Sequence, residues 1–169
     1  MAYEQHTEEG KSLNVRVAVV TLSDTRTPET DTSGQTIRKL LEADGHIVAS
    51  YDLVPDYPTD KFKSLLDHLL LAQNAAIITN GGTGIYRRDL AIPIVESVID
   101  IPLPGFGELF RMLSYEQIGS GAFASRATGG VARGKLIFSL PGSTKAVELG
   151  MTKLILPELR HLVGQLRKK

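Results

Sequence analysis

The sequence predicts an α/β fold on a mostly parallel sheet with an antiparallel component. Three observations carry that expectation. Short β-branched apolar runs alternate with amphipathic helical patterns through residues 15–79, as in βαβ units with right-handed crossovers. Each apolar run empties into a loop rich in Gly, Pro, Asp, Ser or Thr. Near the C-terminus, two apolar runs flank "RGK", which reads as a hairpin rather than a crossover.

Taken in order, "VRVAVVTLS" (15–23) is short, apolar and β-branched, hence a buried strand. "TSGQTIRKLLEADG" (32–45) sets Ile37, Leu40 and Leu41 at helical spacing, with Asp31, Thr32 or Ser33 as cap and Gly45 as stop. "HIVASYDLVP" (46–55) alternates as a second strand. "TDKFKSLLDHLLLAQ" (59–73) puts Phe62, Leu65, Leu66, Leu69 and Leu70 on one helical face. "AAIIT" (75–79) is a third strand. "DLAIPIVESVID" (89–100) reads as a short helix interrupted or restarted near Pro93. "PLPGFGELFRMLSYEQIG" (102–119) starts with turns and becomes a helix through Phe110 and Met112. "RATGGVARGKLIFSLPG" (126–142) gives the two hairpin strands, and the remainder is a long helical stretch bent at Pro157.

A chain of 169 residues with 42% hydrophobic and 22% charged residues suits one domain, expected over 14–169 behind a flexible N-terminal arm, 1–13. Lys+Arg and Asp+Glu both number 19. That balance argues against a broad electrostatic grip on nucleic acid or an anionic membrane, though not against a local anion site. The absence of cysteine excludes disulfides and thiolate metal sites. His6, His46, His68 and His161 form no metal-binding pattern, so no structural metal is expected. With no apolar run of spanning length and a polar N-terminus, the expected location is cytoplasmic.

The loops at the strand exits carry the candidate chemistry. They are "SDTRTPETDTSG" with Ser23 and Asp24, "VPDYPTD" with Asp56, "NGGTGIYRRD", and "LPGSTK". In an open parallel sheet such exits share one edge, where ligands bind at a topological switch. The sequence therefore places residues 23–34, 56, 79–89 and 141–145 around a common hollow. Gly81, Gly82 and Gly84 permit left-handed backbone and close approach, Thr79, Asn80 and Thr83 add side-chain donors, and consecutive amides there can form an anion nest. Asp89 reads either as a helix cap or as a catalytic or metal-directed carboxylate. Of Arg87 and Arg88, one is expected on phosphate and one in solvent. Pro141, Gly142, Ser143 and Lys145 read as an ordinary capped helix start or as a phosphate site. Ser125 and Arg126 are a ligand contact or an ordinary exposed pair. The dinucleotide fingerprint, the Walker A loop and the G-x-S-x-G elbow are all absent.

"TLSDTR", "DTSG" (31–34), Pro55-Asp56, "GGTGIYRRD", "PGFGELFRMLS", "SRA" and "LPGSTKA" occur in this order from about Val15 to the C-terminal helix. Single motifs are weak, but the ordered set resembles the MoaB/MogA molybdenum cofactor biosynthesis family. The resemblance implies a three-layer α/β/α sandwich that binds molybdopterin and, in active members, adenylylates it with Mg-ATP, releasing pyrophosphate. It implies catalytic and magnesium-directed roles for Asp56 and Asp89. Substrate or nucleotide contacts are implied across Ser23, Asp24, Thr79, Gly81, Gly82, Thr83, Gly84, Arg88, Ser125, Arg126, Pro141, Gly142, Ser143 and Lys145. It also implies homo-oligomers, trimeric or hexameric. Ala91, Ile92 and Pro93 depart from the acidic pair often found after the Arg-Asp, so one metal or pterin contact is missing. A non-catalytic molybdopterin binder or carrier is the alternative expectation.

Overall fold

The computed structural model describes residues 13–168. Residues 1–12 of the expected arm lie outside that range, whereas Leu13 already packs against the core. The first half repeats a simple unit. Strand β1 (Arg16–Leu22) leads to helix α1 (Thr32–Ala43), β2 (Ile47–Val54) to α2 (Asp60–Leu71), and β3 (Ala76–Asn80) to α3 (Ala91–Val98). Then follow the two-residue β4 (Ile101–Pro102), α4 (Pro104–Ile118) and a 3-10 stretch at Gly119–Ala124. The hairpin β5 (Thr128–Ala132) and β6 (Lys135–Leu140), α5 (Thr144–Gly150), a π turn (Met151–Ile155) and α6 (Leu156–Arg167) complete the chain.

The strands form one sheet in the order β2-β1-β3-β6-β5-β4. β2, β1, β3 and β6 run parallel, while β5 is antiparallel to β6 and β4 antiparallel to β5. Strand alternation makes two cores. Val17 and Val19 of β1 join Ile37 and Leu41 of α1, Phe110 of α4 and Leu159 of α6 on one face. Ala18, Val20 and Leu22 join Phe62 and Leu66 of α2 and Val95 of α3 on the other. A strand buried on both faces must read as a continuous apolar run, as β1 does. The architecture is therefore the expected three-layer sandwich. Among the described residues, no helix is long and apolar enough to cross a membrane.

Three local expectations need correction. α3 runs unbroken from Ala91, because Pro93 is its third residue, where a missing N–H costs no intrahelical bond. α4 starts at Pro104 itself, so Gly105 and Gly107 lie inside the helix rather than in a preceding turn. A Cβ on Gly107 would stand 2.7 Å from the Ala127 carbonyl, so glycine there admits the approach to β5. In the last helical stretch a π turn precedes Pro157, with the Leu156 N–H bonded to the Met151 carbonyl. Proline cannot donate to the carbonyl four residues back, and the wider turn accommodates that loss.

Candidate active site

β1 sends one crossover to β2 and lies against β3 on its other side, so the switch point is at the carboxyl ends of β1 and β3. The loop leaving β1 is fastened to the one leaving β2. The Ser23 N–H donates to the Val54 carbonyl at 2.9 Å, and Asp24 Oδ1 accepts from the Asp56 N–H at 2.9 Å. Ser23 Oγ turns inward to accept the Arg26 N–H at 3.2 Å. Ser23 and Asp24 thus shape the loop.

The bend after β3 is built by close approach. Gly81 and Gly82 take φ of 89° and 62°, the left-handed region that disfavours side chains. A Cβ on Gly81 would fall 2.2 Å from the Leu22 carbonyl oxygen. The Gly81 N–H is spent on the Leu140 carbonyl at 3.1 Å, which ties the bend to β6. Beyond it, the N–H groups of Gly82, Thr83 and Gly84 bond to no described residue. Three successive amides of this kind, flanked by glycine, form a potential anion nest.

Both predicted carboxylates border that bend. A Cβ on Gly82 would lie 2.9 Å from Asp56 Oδ1, and one on Gly84 would lie 2.4 Å from Asp89 Oδ2. Asp56 is half-buried, and its Oδ1 is shielded from solvent without a hydrogen-bond partner. Burial, then the charges of Asp24 and Asp89, push the Asp56 carboxyl above its ordinary value. Asp89 does not cap α3, because Leu90 holds the cap position. Its Oδ2 instead accepts the Tyr86 N–H at 2.9 Å and closes the glycine loop on itself. Among the described residues, no three His, Asp or Glu side chains gather tightly enough to hold a metal ion unaided. The orphaned oxygen of Asp56 and the nearby Asp89 fit a cation that takes its remaining ligands from water and a bound phosphate, the usual habit of magnesium.

The basic residues divide. Arg126 Nη1 donates to the Gly84 carbonyl at 2.9 Å, which brings the segment before β5 to the bend. The Arg88 guanidinium lies over the Tyr57 ring, 5.4 Å from its centroid, and so joins the two carboxylate-bearing loops. Arg87 is exposed. Pro141 and Gly142 lie at the same rim, and a Cβ on Gly142 would be 3.1 Å from Gly81 Cα. Ser143 Oγ accepts the Ala146 N–H at 3.2 Å, so the plain cap reading holds there.

Other predicted contacts are placed differently. Thr79 is fully buried within β3, so its hydroxyl does not reach the hollow. Thr83 is nearly as enclosed, leaving its backbone as the part nearest the nest. Ser125 is half-buried, and its N–H ends the 3-10 stretch on the Ala122 carbonyl at 3.0 Å. Lys145 lines a separate hollow of about 510 Å³ with Gln117, Ile118 and Glu148.

Sequence reasoning gave no role to Arg26, which bonds Asp31 and the Gly142 carbonyl, or to Tyr51, whose hydroxyl donates to Asp31 Oδ2 at 2.7 Å. A signal existed. Asp31 sits where an N-cap must be, and a carboxylate buried there requires donors.

Comparison with known proteins identifies the family. A family model described as "Probable molybdopterin binding domain" matches residues 18–161. Molybdenum cofactor biosynthesis protein B of Bacillus subtilis (strain 168) is 47% identical over 169 residues, covering 99% of each chain. A crystal structure of a molybdenum cofactor biosynthesis protein B has a TM-score of 0.85 at 47% identity, over 93% of this chain and 98% of that one. The tungsten cofactor synthesizing protein MoaB from Pyrococcus furiosus has a TM-score of 0.79 at 36% identity, over 92% of this chain and 98% of its own.

Proposed function

This chain belongs to the MoaB/MogA family of molybdenum cofactor biosynthesis proteins, and from that membership we propose that it binds molybdopterin and adenylylates it with Mg-ATP. The products are adenylylated molybdopterin and pyrophosphate. The observation that carries the reading is the row of three free amides, Gly82 to Gly84, bordered by Asp56 and Asp89. Amides suit phosphate oxygens, and carboxylates suit a cation shared with those oxygens.

A phosphate oxygen of the pterin attacks the α-phosphorus of ATP, and the bond from that phosphorus to the leaving pyrophosphate oxygen breaks. No nucleophilic side chain is needed. The protein has to align two anions and hold the charge that spreads over oxygen in the transition state. The amides of Gly82, Thr83 and Gly84 hold phosphate oxygens, and Arg88 stands ready beside Asp89. Asp56 and Asp89 would hold magnesium, which when bound offsets the repulsion between the phosphates. Arg126 donates to the Gly84 carbonyl and ties the segment before β5 to the bend.

Mixing the protein with molybdopterin and Mg-ATP and measuring pyrophosphate tests the proposal. Release well above a protein-free control is expected. Asp89→Asn should reduce it by about a hundredfold to a thousandfold, as loss of a principal electrostatic contact does, with an unchanged circular dichroism spectrum. No release at saturating ligand rejects transfer. A second reading, binding without transfer, is favoured by Ala91 and Ile92, which are buried where family sequences often carry acids. It expects saturable pterin binding with ATP left intact.

The proposal includes a cytoplasmic homo-oligomer, trimeric or hexameric. Leu109, Met112, Tyr115 and Ile118 recur every third residue along α4, all exposed, with Phe123 beside them. A row of large apolar side chains is more than an isolated chain usually leaves open. Light scattering should give the mass of three or six chains, and the mass of one chain would reject this part.

A further inference from the structure

The loop after β1 carries one side chain that the reaction scheme leaves unused. Arg26 reaches partners at the start of α1 and in the turn after β6. Its Nη1 donates to Asp31 Oδ1 at 3.2 Å and to Ser33 Oγ, and its Nη2 donates to the Gly142 carbonyl at 2.9 Å. The two ends of this bridge differ in stiffness. Asp31 is fully buried and anchored by the Tyr51 hydroxyl at 2.7 Å and the Gly34 N–H at 3.0 Å. Gly142 lies in the turn that leaves β6, past the last sheet pairing at Leu140. That turn is in contact with the glycine bend, since a Cβ on Gly142 would stand 3.1 Å from Gly81 Cα and 3.5 Å from Gly81 N.

We propose that Arg26 is a positioning residue that clamps the Gly142 carbonyl to the immobile Asp31 and so fixes the turn after β6 against the glycine bend. The planar guanidinium can donate to an acid and to a carbonyl on different segments at once, whereas a lysine ammonium is a single point of attachment. A Gly-Ser turn without this tie would sample several conformations, and the glycine bend would lose the packing at Gly81 that precedes the nest. The effect on catalysis rests on the adenylyl-transfer reading, but the clamp does not.

The test uses the full chain without ligand, as wild type, Arg26→Lys and Arg26→Met. Amide exchange followed by mass spectrometry reads the segments 140–145 and 79–84, with 47–54 in β2 as the control. A hydrogen bond from a charged donor sets the expected scale, a roughly tenfold or greater acceleration over 140–145 in Arg26→Met. Arg26→Lys should fall between the two, with 47–54 unchanged. Unchanged exchange over 140–145 in both variants overturns the clamp. So does acceleration everywhere in proportion to lost thermal stability, which would mark Arg26 as a general fold contact. Should Arg26→Met fail to fold, Arg26→Lys, which keeps the charge beside Asp31, decides alone. In the pyrophosphate assay the KM for Mg-ATP should rise about tenfold with a smaller change in kcat. If wild type releases no pyrophosphate, the transfer reading fails while the exchange result still decides the clamp.

Discussion

Asp31, in the turn from β1 into α1, and Asp56, in the turn from β2 into α2, are withdrawn from solvent at the same rim of the sheet and held in opposite ways. Burial pushes the Asp31 carboxyl up, but hydrogen bonds from Thr21, Tyr51, the Gly34 N–H and Ser33 outweigh it, and the group ends below its ordinary value. Burial also pushes Asp56 up, and there the neighbouring charges of Asp24 and Asp89 add to it. The difference lies in the supply of partners. A carboxylate surrounded by donors becomes a fixed post, while one left with an orphaned oxygen beside other acids stays poorly compensated.

The largest effect should come from the satisfied region. Asp31→Ala removes the cap of α1 and strands the Tyr51 hydroxyl and the Arg26 guanidinium. It should cost about 3–5 kcal/mol, as breaking a buried, hydrogen-bonded charge does. In a chain of this length that lowers the thermal midpoint by about 6–20 °C. A loss under about 1 kcal/mol would remove the distinction between the two regions.

Next comes Gly82→Ala. The new side chain would adopt a φ of 62° with its Cβ 2.9 Å from Asp56 Oδ1. Urea unfolding should register a loss of about 1–2 kcal/mol, and under the proposed adenylyl transfer the displacement of Asp56 should lower pyrophosphate release from Mg-ATP. A neutral result in both would mean that the bend does not position this carboxylate.

Asp56→Asn should change stability by no more than about 1 kcal/mol, in the stabilising direction, because it deletes a poorly compensated charge. Thermal melts of the two Asp variants side by side sharpen the contrast. A large destabilisation by Asp56→Asn would make the second region structural like the first.

The smallest effect is in pH. The folded pKa of Asp31 is depressed, so its stabilisation is present above the ordinary value of 3.8 and is lost as pH falls through the folded pKa. The folded pKa of Asp56 is raised, so its favourable contribution is present below 3.8 and is lost as pH rises through the folded pKa. The advantage of Asp56→Asn over wild type should therefore vanish near pH 3 and grow as pH climbs above 3.8. Denaturant unfolding at a series of pH values checks this. An advantage that shrank with rising pH would reverse the assignment.

Much of the architecture was legible because periodicity is local. β1, α1, β2, α2 and β3 all stand where alternation or helical spacing puts them. The tri-glycine bend and Asp89 were legible too, since a strand exit with three glycines and an acid has few structural uses, whereas Asp56 stood out through the family resemblance. β4 was not, because two residues carry no pattern. The start of α4 was misread because glycine in a helix looks like a turn until Ala127 is brought against it. Thr79 was placed with the ligand-facing groups, but β3 extends one residue further and keeps it inside the sheet.

The sequence by itself determined the order of elements, the two apolar faces of β1 and the polar loops at the strand exits. It did so through side-chain periods of two and of about 3.6, which neighbours along the chain impose on one another. Only the tertiary structure decided which polar groups find partners. Arg26 meets Gly142 across 116 positions, and Tyr51 meets Asp31 across 20. No local pattern encodes such meetings, because they depend on how the crossovers bring strand ends side by side.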